Sequence, residues 1–375
     1  MILALLLSCR APPQSAYNSG AFCAQSASRR PSSGSAAAAQ LARRLGRAES
    51  LLIGLGNDLE GGAPEDAGIA TLPAALDLHY TYLTGLPGPG SWTHWNPGAT
   101  FIDRFIEAAS ARCQVPMFTL YAMASRGENN MAVLAQADFM DEWWAGLSLA
   151  LSRIAAADEP VLLHIEPDFW GFAQQHTGGD PTAMPVRLPE DCTDLRADLT
   201  GMGHCIARRV RQQAPLVSYG LHASPWAGPA DQTAAFLAAI GPGDLLFTET
   251  LDRDAGCFEA RRSPHCKRDD GPWYWSDADF KAHLDWAGAL SQQTGRPLLW
   301  WQMPLGRPDW RAGREGRYRD NRVQFVFEHP EKFVAAGGIG IVFGKGAPGQ
   351  TSIGTDRGQF ASATARYYAA PTPLP

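Results

Sequence analysis

Residues 160–168 read PVLLHIEPD, and this stretch decides the fold. Val161, Leu162, Leu163 and Ile165 are apolar whichever way the chain alternates, so the run reads as a strand covered on both faces. It is entered by a tight connection at Asp158-Glu159 and left by a long one, 169–198. Seven more runs of the same kind lie at 51–58, 75–83, 115–123, 215–224, 244–250, 297–304 and 338–344. Most of the segments between them have a helical period. Phe101, Ile102, Phe105, Ile106 and Ala109 share one face, as do Phe280, Leu284, Ala287 and Leu290. Eight buried strands alternating with amphipathic helices predict an α/β chain whose residues 46–375 form one (β/α)8 TIM barrel.

Loop lengths argue the same way. Helix-to-strand connections are short, as at Gly295-Arg296 and Gly337, whereas the strand-to-helix loops 84–97, 169–198, 251–275 and 305–317 are long. In a barrel the long loops gather at the C-terminal mouth, where ligands are met. Trp92, Trp95, Trp170, Trp226, Trp273, Trp275 and Trp310 all lie on such loops.

Composition bounds the rest. Of 375 residues, 45% are hydrophobic and 19% charged, which excludes disorder for the bulk of the chain. Net charge of −6 and a pI near 5.9 speak against a general nucleic-acid binder. Residues 1–45 are expected to be an export segment and flexible tether. MILALLLS is apolar, and Leu6-Leu7-Ser8-Cys9 resembles a bacterial lipobox, whose Cys carries a lipid anchor, although no Lys or Arg precedes it. A secreted, periplasmic or lipid-anchored location follows. Of seven cysteines, Cys192 with Cys205 and Cys257 with Cys266 are spaced to close short disulfide loops, leaving Cys113 as a buried thiol. A zinc reading through His204-Cys205 and His265-Cys266 lacks the CxxC knuckles that zinc sites use.

The polar residues at the strand ends carry the chemistry. Alternation places His164, Glu166 and Asp168 on one face, with Glu249 ending strand six, His222 strand five, Gln302 strand seven and Asp58 strand one. Carboxylates from different strands meeting at one mouth are what glycosidic hydrolysis needs: one protonates the leaving oxygen, the other acts as nucleophile or activates water. Catalysis is therefore expected from Glu166, Asp168 and Glu249. Substrate binding is expected from His79, Tyr121, His164, Trp170, His222, Trp226, Trp300 and Gln302. Flat indole rings pack well against the axial C–H face of a pyranose, so the partner expected is a carbohydrate, with no cofactor. Trp300 and Trp301 supply one inward and one outward ring.

The segment Trp143 to Trp170, a helix followed by PVLLHIEPDFW, resembles the passage into strand four of glycoside hydrolase family 6, which carries Ile-Glu-Pro-Asp. The resemblance implies that Asp168 is the proton donor and tilts the outcome towards inversion. It covers about 30 residues. The chain has Arg126-Gly127 where that family has Arg-Asp, and no Lys-Pro-Gly-Gly-Glu segment follows Gln302; barrel glycosidases with Glu on strands four and seven also differ, because strand seven offers Gln302. The reading is thus a barrel glycosidase of open family. The alternatives are a catalytically silent carbohydrate-binding barrel, or a metal-dependent hydrolase using His164, Glu166 and His222. Gly344-Lys345-Gly346-Ala347-Pro348-Gly349 matches GxGxxG after the last strand, but no further strand follows to build a dinucleotide unit. A loop there can hold phosphate in a barrel, which leaves a phosphorylated ligand open. Asp320-Asn321-Arg322 reads as a helix cap.

Overall fold

The computed structural model describes residues 36–59, 62–311 and 313–375. Eight parallel strands close into a barrel in the order β1-β10-β7-β6-β5-β4-β3-β2. They are β1 Leu52–Gly56, β2 Leu78–Thr84, β3 Val115–Tyr121, β4 Val161–Ile165, β5 Val217–His222, β6 Leu245–Thr248, β7 Leu298–Met303 and β10 Gly338–Gly344. A two-stranded hairpin, β8 Gly313–Arg314 with β9 Arg317–Tyr318, stands in the loop after β7. Seven barrel strands fall inside the runs read from the sequence and β2 passes the end of its run by one residue, Thr84; the expected TIM barrel is the fold observed.

Two apolar layers follow from the alternation along each strand. Leu52, Leu78, Met117, Leu162, Phe247 and Leu299 fill the barrel interior. Their neighbours Ile53, Phe118, Leu163, Leu246 and Leu298 face the helices. Room inside is made by glycine where it matters most: a Cβ on Gly56 would collide with the Tyr80 ring, and one on Gly344 with the Tyr80 hydroxyl.

The domain boundary moves. The helix Ala36–Arg44 lies within the segment expected to be a tether, yet Ala38, Ala39, Leu41, Ala42 and the following Leu45 pack under the barrel interior. Arg44 at its end donates to the Ser218 hydroxyl (2.7 Å) and pairs with Asp244 (2.9 Å). Alanine contributes so little hydrophobic contrast that this face is hard to see in the sequence. Asp77 closes the same end, accepting from Arg47 Nε (3.0 Å), the Tyr368 hydroxyl (2.6 Å) and the Ile53 amide (3.1 Å), so that both ends of the barrel chain meet on one carboxylate. The lipid-anchor position Cys9 lies outside the described residues.

Cys192–Cys205 and Cys257–Cys266 are disulfides, as expected. These bonds remove Cys205 and Cys266 from any zinc set. Cys113 departs from expectation: it is half-buried and disulfide-bonded. Peptide mapping without reduction should recover the 192–205 and 257–266 pairs as linked peptides. Closing a loop of 13 residues is worth about 3 kcal/mol on a chain-entropy account, so Cys192→Ser with Cys205→Ser should lower unfolding free energy by roughly that amount in urea.

Candidate active site

Strand β4 ends at Ile165, and the chain then turns through two left-handed residues, Glu166 (φ 51°) and Asp168 (φ 64°). This breaks the expected alternation and separates the three residues read as one face. His164 stays inside the barrel, sandwiched against Phe247 (4.2 Å between ring centres). Glu166 swings out to the junction with β3. Its oxygens accept from the Ala122 amide (3.1 Å to each), the Met123 amide (3.0 Å) and the Trp143 indole (2.7 Å). Asp168 alone points into the mouth. The Phe169 amide donates back to the Pro167 carbonyl (2.7 Å) across Asp168, a γ-turn of the uncommon left-handed sense. Such a conformation costs ~1–3 kcal/mol for a non-glycine residue and persists only where its surroundings enforce it.

The mouth holds a cleft of about 1340 Å³. Asp168 and Glu249 lie on its floor, with Tyr82, Tyr121, Trp301 and Gln302 around them and Trp95, Trp226, Trp273 and Trp275 higher up. Burial, and then the charge of Glu249, push Asp168 up to about 7, against the pull of His222. Trp170, expected to bind substrate, does not line the cleft; its indole donates to the Ile165 carbonyl (2.9 Å) in the outer core. Glu166 is also pushed up to about 7 by burial, although its three donors pull the other way.

Glu249 accepts a hydrogen bond from His222 Nε2, and His222 Nδ1 faces His164 Nε2 at 3.0 Å. His164 Nδ1 then meets the Thr119 hydroxyl at 3.4 Å. Burial and His222 hold His164 well below the ordinary imidazole range, so it is neutral.

The other expected site residues divide plainly. Tyr121, Trp226 and Gln302 line the cleft. Tyr121 donates to Glu128 (2.6 Å), and the Gln302 amide donates to the Tyr82 hydroxyl (2.7 Å). His164 and His222 lie below the floor. His79 faces outward on β2 and pairs with Asp58 (3.0 Å), whose other oxygen caps the Ile69 amide (2.7 Å); neither reaches the cleft. Trp300 is the outward ring of its pair, buried and donating to His283 (2.8 Å), while Trp301 is the inward one. The three residues of the metal reading do not form a ligand set, because His164 and His222 bond each other and Glu166 is engaged elsewhere. Among the described residues no group of three or more His, Cys, Asp or Glu is placed to hold a metal. The sequence reading missed Tyr82, which shares the inward parity of Leu78 and Tyr80, and the charged wall of Asp252, Arg253 and Arg268.

No protein-family model and no curated protein matches this sequence. Among solved structures, the chain is similar to XEG5B, a GH5 xyloglucan-specific beta-1,4-glucanase from a ruminal metagenomic library, at 10% identity over 90% of this chain and 97% of that one, with a TM-score of 0.52. It is similar also to a ruminal GH26 endo-beta-1,4-mannanase (10% identity, 92% and 68% covered, TM-score 0.48) and to the GH6 enzyme of Orpinomyces sp. Y102 (15%, 71% and 72%, TM-score 0.38). At such identity the likeness to XEG5B bears on the fold alone, and function rests on the site.

Four buried acids are pushed up by burial: Glu166 and Asp168 to about 7, Asp254 to about 8, and Asp356 above the ordinary carboxylate range. Each is protonated in the fold at a pH where the unfolded chain has released its proton, so its contribution to stability falls as pH rises towards the folded value. The depressed His164 and His283 act oppositely, but only below the unfolded imidazole value of about 6.5. Between pH 6.5 and 8.5 the raised acids are the groups whose stated shifts act. Unfolding free energy in urea should therefore decline over that window, and Glu166→Gln, which does not titrate, should decline less steeply from a lower starting value.

Proposed function

We propose that the protein is a glycoside hydrolase, with Asp168 as the general acid and Glu249 as the base or nucleophile. The observation that carries the reading is the pairing on the cleft floor. One carboxyl is held protonated near neutrality by burial and by the charge of the other, and the other is anchored by an imidazole chain. A carboxyl raised towards neutrality beside a second carboxylic group at one cleft is the pairing that glycosidic hydrolysis uses for acid and base. Asp168 gives its proton to the leaving glycosidic oxygen. Glu249 either attacks the anomeric carbon or takes a proton from the attacking water. The indoles of Trp95, Trp226, Trp273 and Trp275 supply flat apolar faces for pyranose rings on both sides of the floor. Gln302 and Tyr82 present fixed polar groups that orient a sugar hydroxyl.

We infer further that the chain is exported. The five cysteines among the described residues are all disulfide-bonded, a pattern suited to an oxidising compartment. No helix of the described residues is long and apolar enough to cross a membrane.

A screen of polysaccharides for release of reducing ends tests the activity. On a substrate that is cleaved, Asp168→Asn and Glu249→Gln should each lower kcat by about 100-fold or more while leaving the melting temperature near normal. The wild-type kcat/KM should fall above about pH 7, as Asp168 loses the proton it must donate. Tight binding of a glycan without release of reducing ends would return the non-catalytic carbohydrate-binding barrel instead.

A further inference from the structure

One half of the barrel mouth differs in charge from the rest of the chain. The loops 251–275, 305–322 and 344–358 follow β6, β7 and β10, three consecutive strands of the barrel. Together they carry thirteen Lys and Arg against nine Asp and Glu, whereas the remaining residues carry nineteen against twenty-nine. The acids among these loops neutralise less than their number suggests. Asp254 is fully buried and pushed up to about 8, so it is largely uncharged at neutrality.

This excess reaches the cleft wall. Arg253 and Arg268 both pair with the single carboxylate of Asp252, Arg268 at 2.8 Å, so two guanidinium groups share one anion. Arg253 Nε is buried and has no hydrogen-bond partner among the described residues. The Arg268 guanidinium lies over the rings of Phe258 (5.1 Å) and Trp273 (5.6 Å), which stack at 4.1 Å on one another. That stacking holds a planar cation beside an indole face that lines the cleft. The glycine-rich loop after β10 closes the cluster: a Cβ on Gly346 would collide with the Asp252 carbonyl, and Lys345 beside it also lines the cleft.

We propose that this wall is a subsite for an anionic group on the glycan, so that the substrate is an acidic polysaccharide bearing carboxylate or sulfate, with Arg253 and Arg268 as the specificity-determining cations. The proposal rests on the glycosidase reading and extends it. A sugar ring lying on Trp273 brings its substituent to the neighbouring guanidinium fork, which recognises carboxylate and sulfate oxygens in pairs. The GxGxxG-like segment then takes a physical role: it lets the backbone of one loop press against Asp252 and keeps the cluster compact.

The test is binding of the intact protein to glycans by affinity electrophoresis and calorimetry, at 50 and 300 mM salt. Polygalacturonate and alginate form the carboxylate arm, dextran sulfate against dextran the sulfate arm, and xyloglucan and mannan the neutral arm. We expect at least one acidic arm to bind more tightly than every neutral glycan, and to weaken as salt screens the attraction. Arg268→Gln should lower that affinity about ten-fold or more, and Arg268→Lys should recover only part of it, because charge returns without the planar fork. Arg268 is half exposed, so these variants should keep the wild-type melting temperature, and Arg253→Gln supplies an independent second case. Binding and cleavage confined to neutral glycans would overturn the anionic subsite and leave the hydrolase standing. So would an affinity for acidic glycans that both substitutions leave within two-fold. Failure of every glycan to bind or be cleaved would overturn the hydrolase reading with it.

Discussion

The carboxylate of Glu166 is the constraint on which the site depends. It receives two amides from the end of β3 and an indole from the helix Ala137–Ala156, and so fixes where β4 stops. With Glu166 turned outward in a left-handed conformation, the chain must reverse its facing, and Asp168 is delivered to the cleft floor two residues later. A bonded carboxylate in the outer core is costly to desolvate, and the raised value of Glu166 reports that cost. The gain is geometric. The strained turn at Asp168 has no conformational freedom of its own to lose when a substrate arrives, because the packing of β3 and β4 has already set it.

A second polar path runs through the barrel interior. Side chains inside a small barrel are ordinarily apolar, and here Phe247 and Trp301 provide that filling around His164 and His222. The two imidazoles give one another hydrogen bonds that water would otherwise supply, and end on Glu249. Glu249 is thereby held at one orientation relative to Asp168. The two carboxyls interact electrostatically but are braced by different elements, Asp168 by the β3–β4 junction and Glu249 by β5, which is how one can be kept protonated by the other without collapsing onto it.

Much of this was legible in the sequence, and the limits have physical causes. Near-continuous apolar runs with short returns and long outward loops specify a parallel barrel, so β4 and its seven partners were found at their places. Cysteine spacing gave two disulfides, because a loop of 9 or 13 residues brings its ends together readily. Alternation failed where the strand ended: the left-handed φ of Glu166, Asp168 and Gln302 inverts the parity, and none of the three is a glycine that would have announced it. His79 was misplaced for a different reason. Both faces of a barrel strand are buried, so a polar residue on it has no apolar contrast to show which face it occupies, and His79 pairs through Nε2 with Asp58 in the outer layer. Trp300 and Trp301 show the same ambiguity, resolved by the hydrogen bond from Trp300 to His283 and by the place of Trp301 in the cleft.

The walls of the cleft differ in how they are held, and this bears on what they can do. On the side of β6, β7 and β10, the loops are bound to one another by buried polar contacts. The Thr351 amide donates to Asp254 (2.7 Å) and the Ala255 amide to Asp320 (2.8 Å). Arg322, fully buried, joins Asp320 to the Trp273 carbonyl (3.1 Å) and lies 4.4 Å from the centre of the Trp275 ring. The segment read as a helix cap is thus also the cross-tie beneath two cleft tryptophans, with the Cys257–Cys266 bond alongside, where Gln350 donates to Cys257 Sγ (3.1 Å). Trp95 and Trp226 on the opposite loops are among the more exposed large apolar side chains of the molecule. A rigid, cation-bearing wall facing exposed indoles divides the labour of recognition: the fixed side sets charge and register, where misplacement by an ångström costs most, and the exposed rings offer stacking that tolerates variation along a chain of sugars.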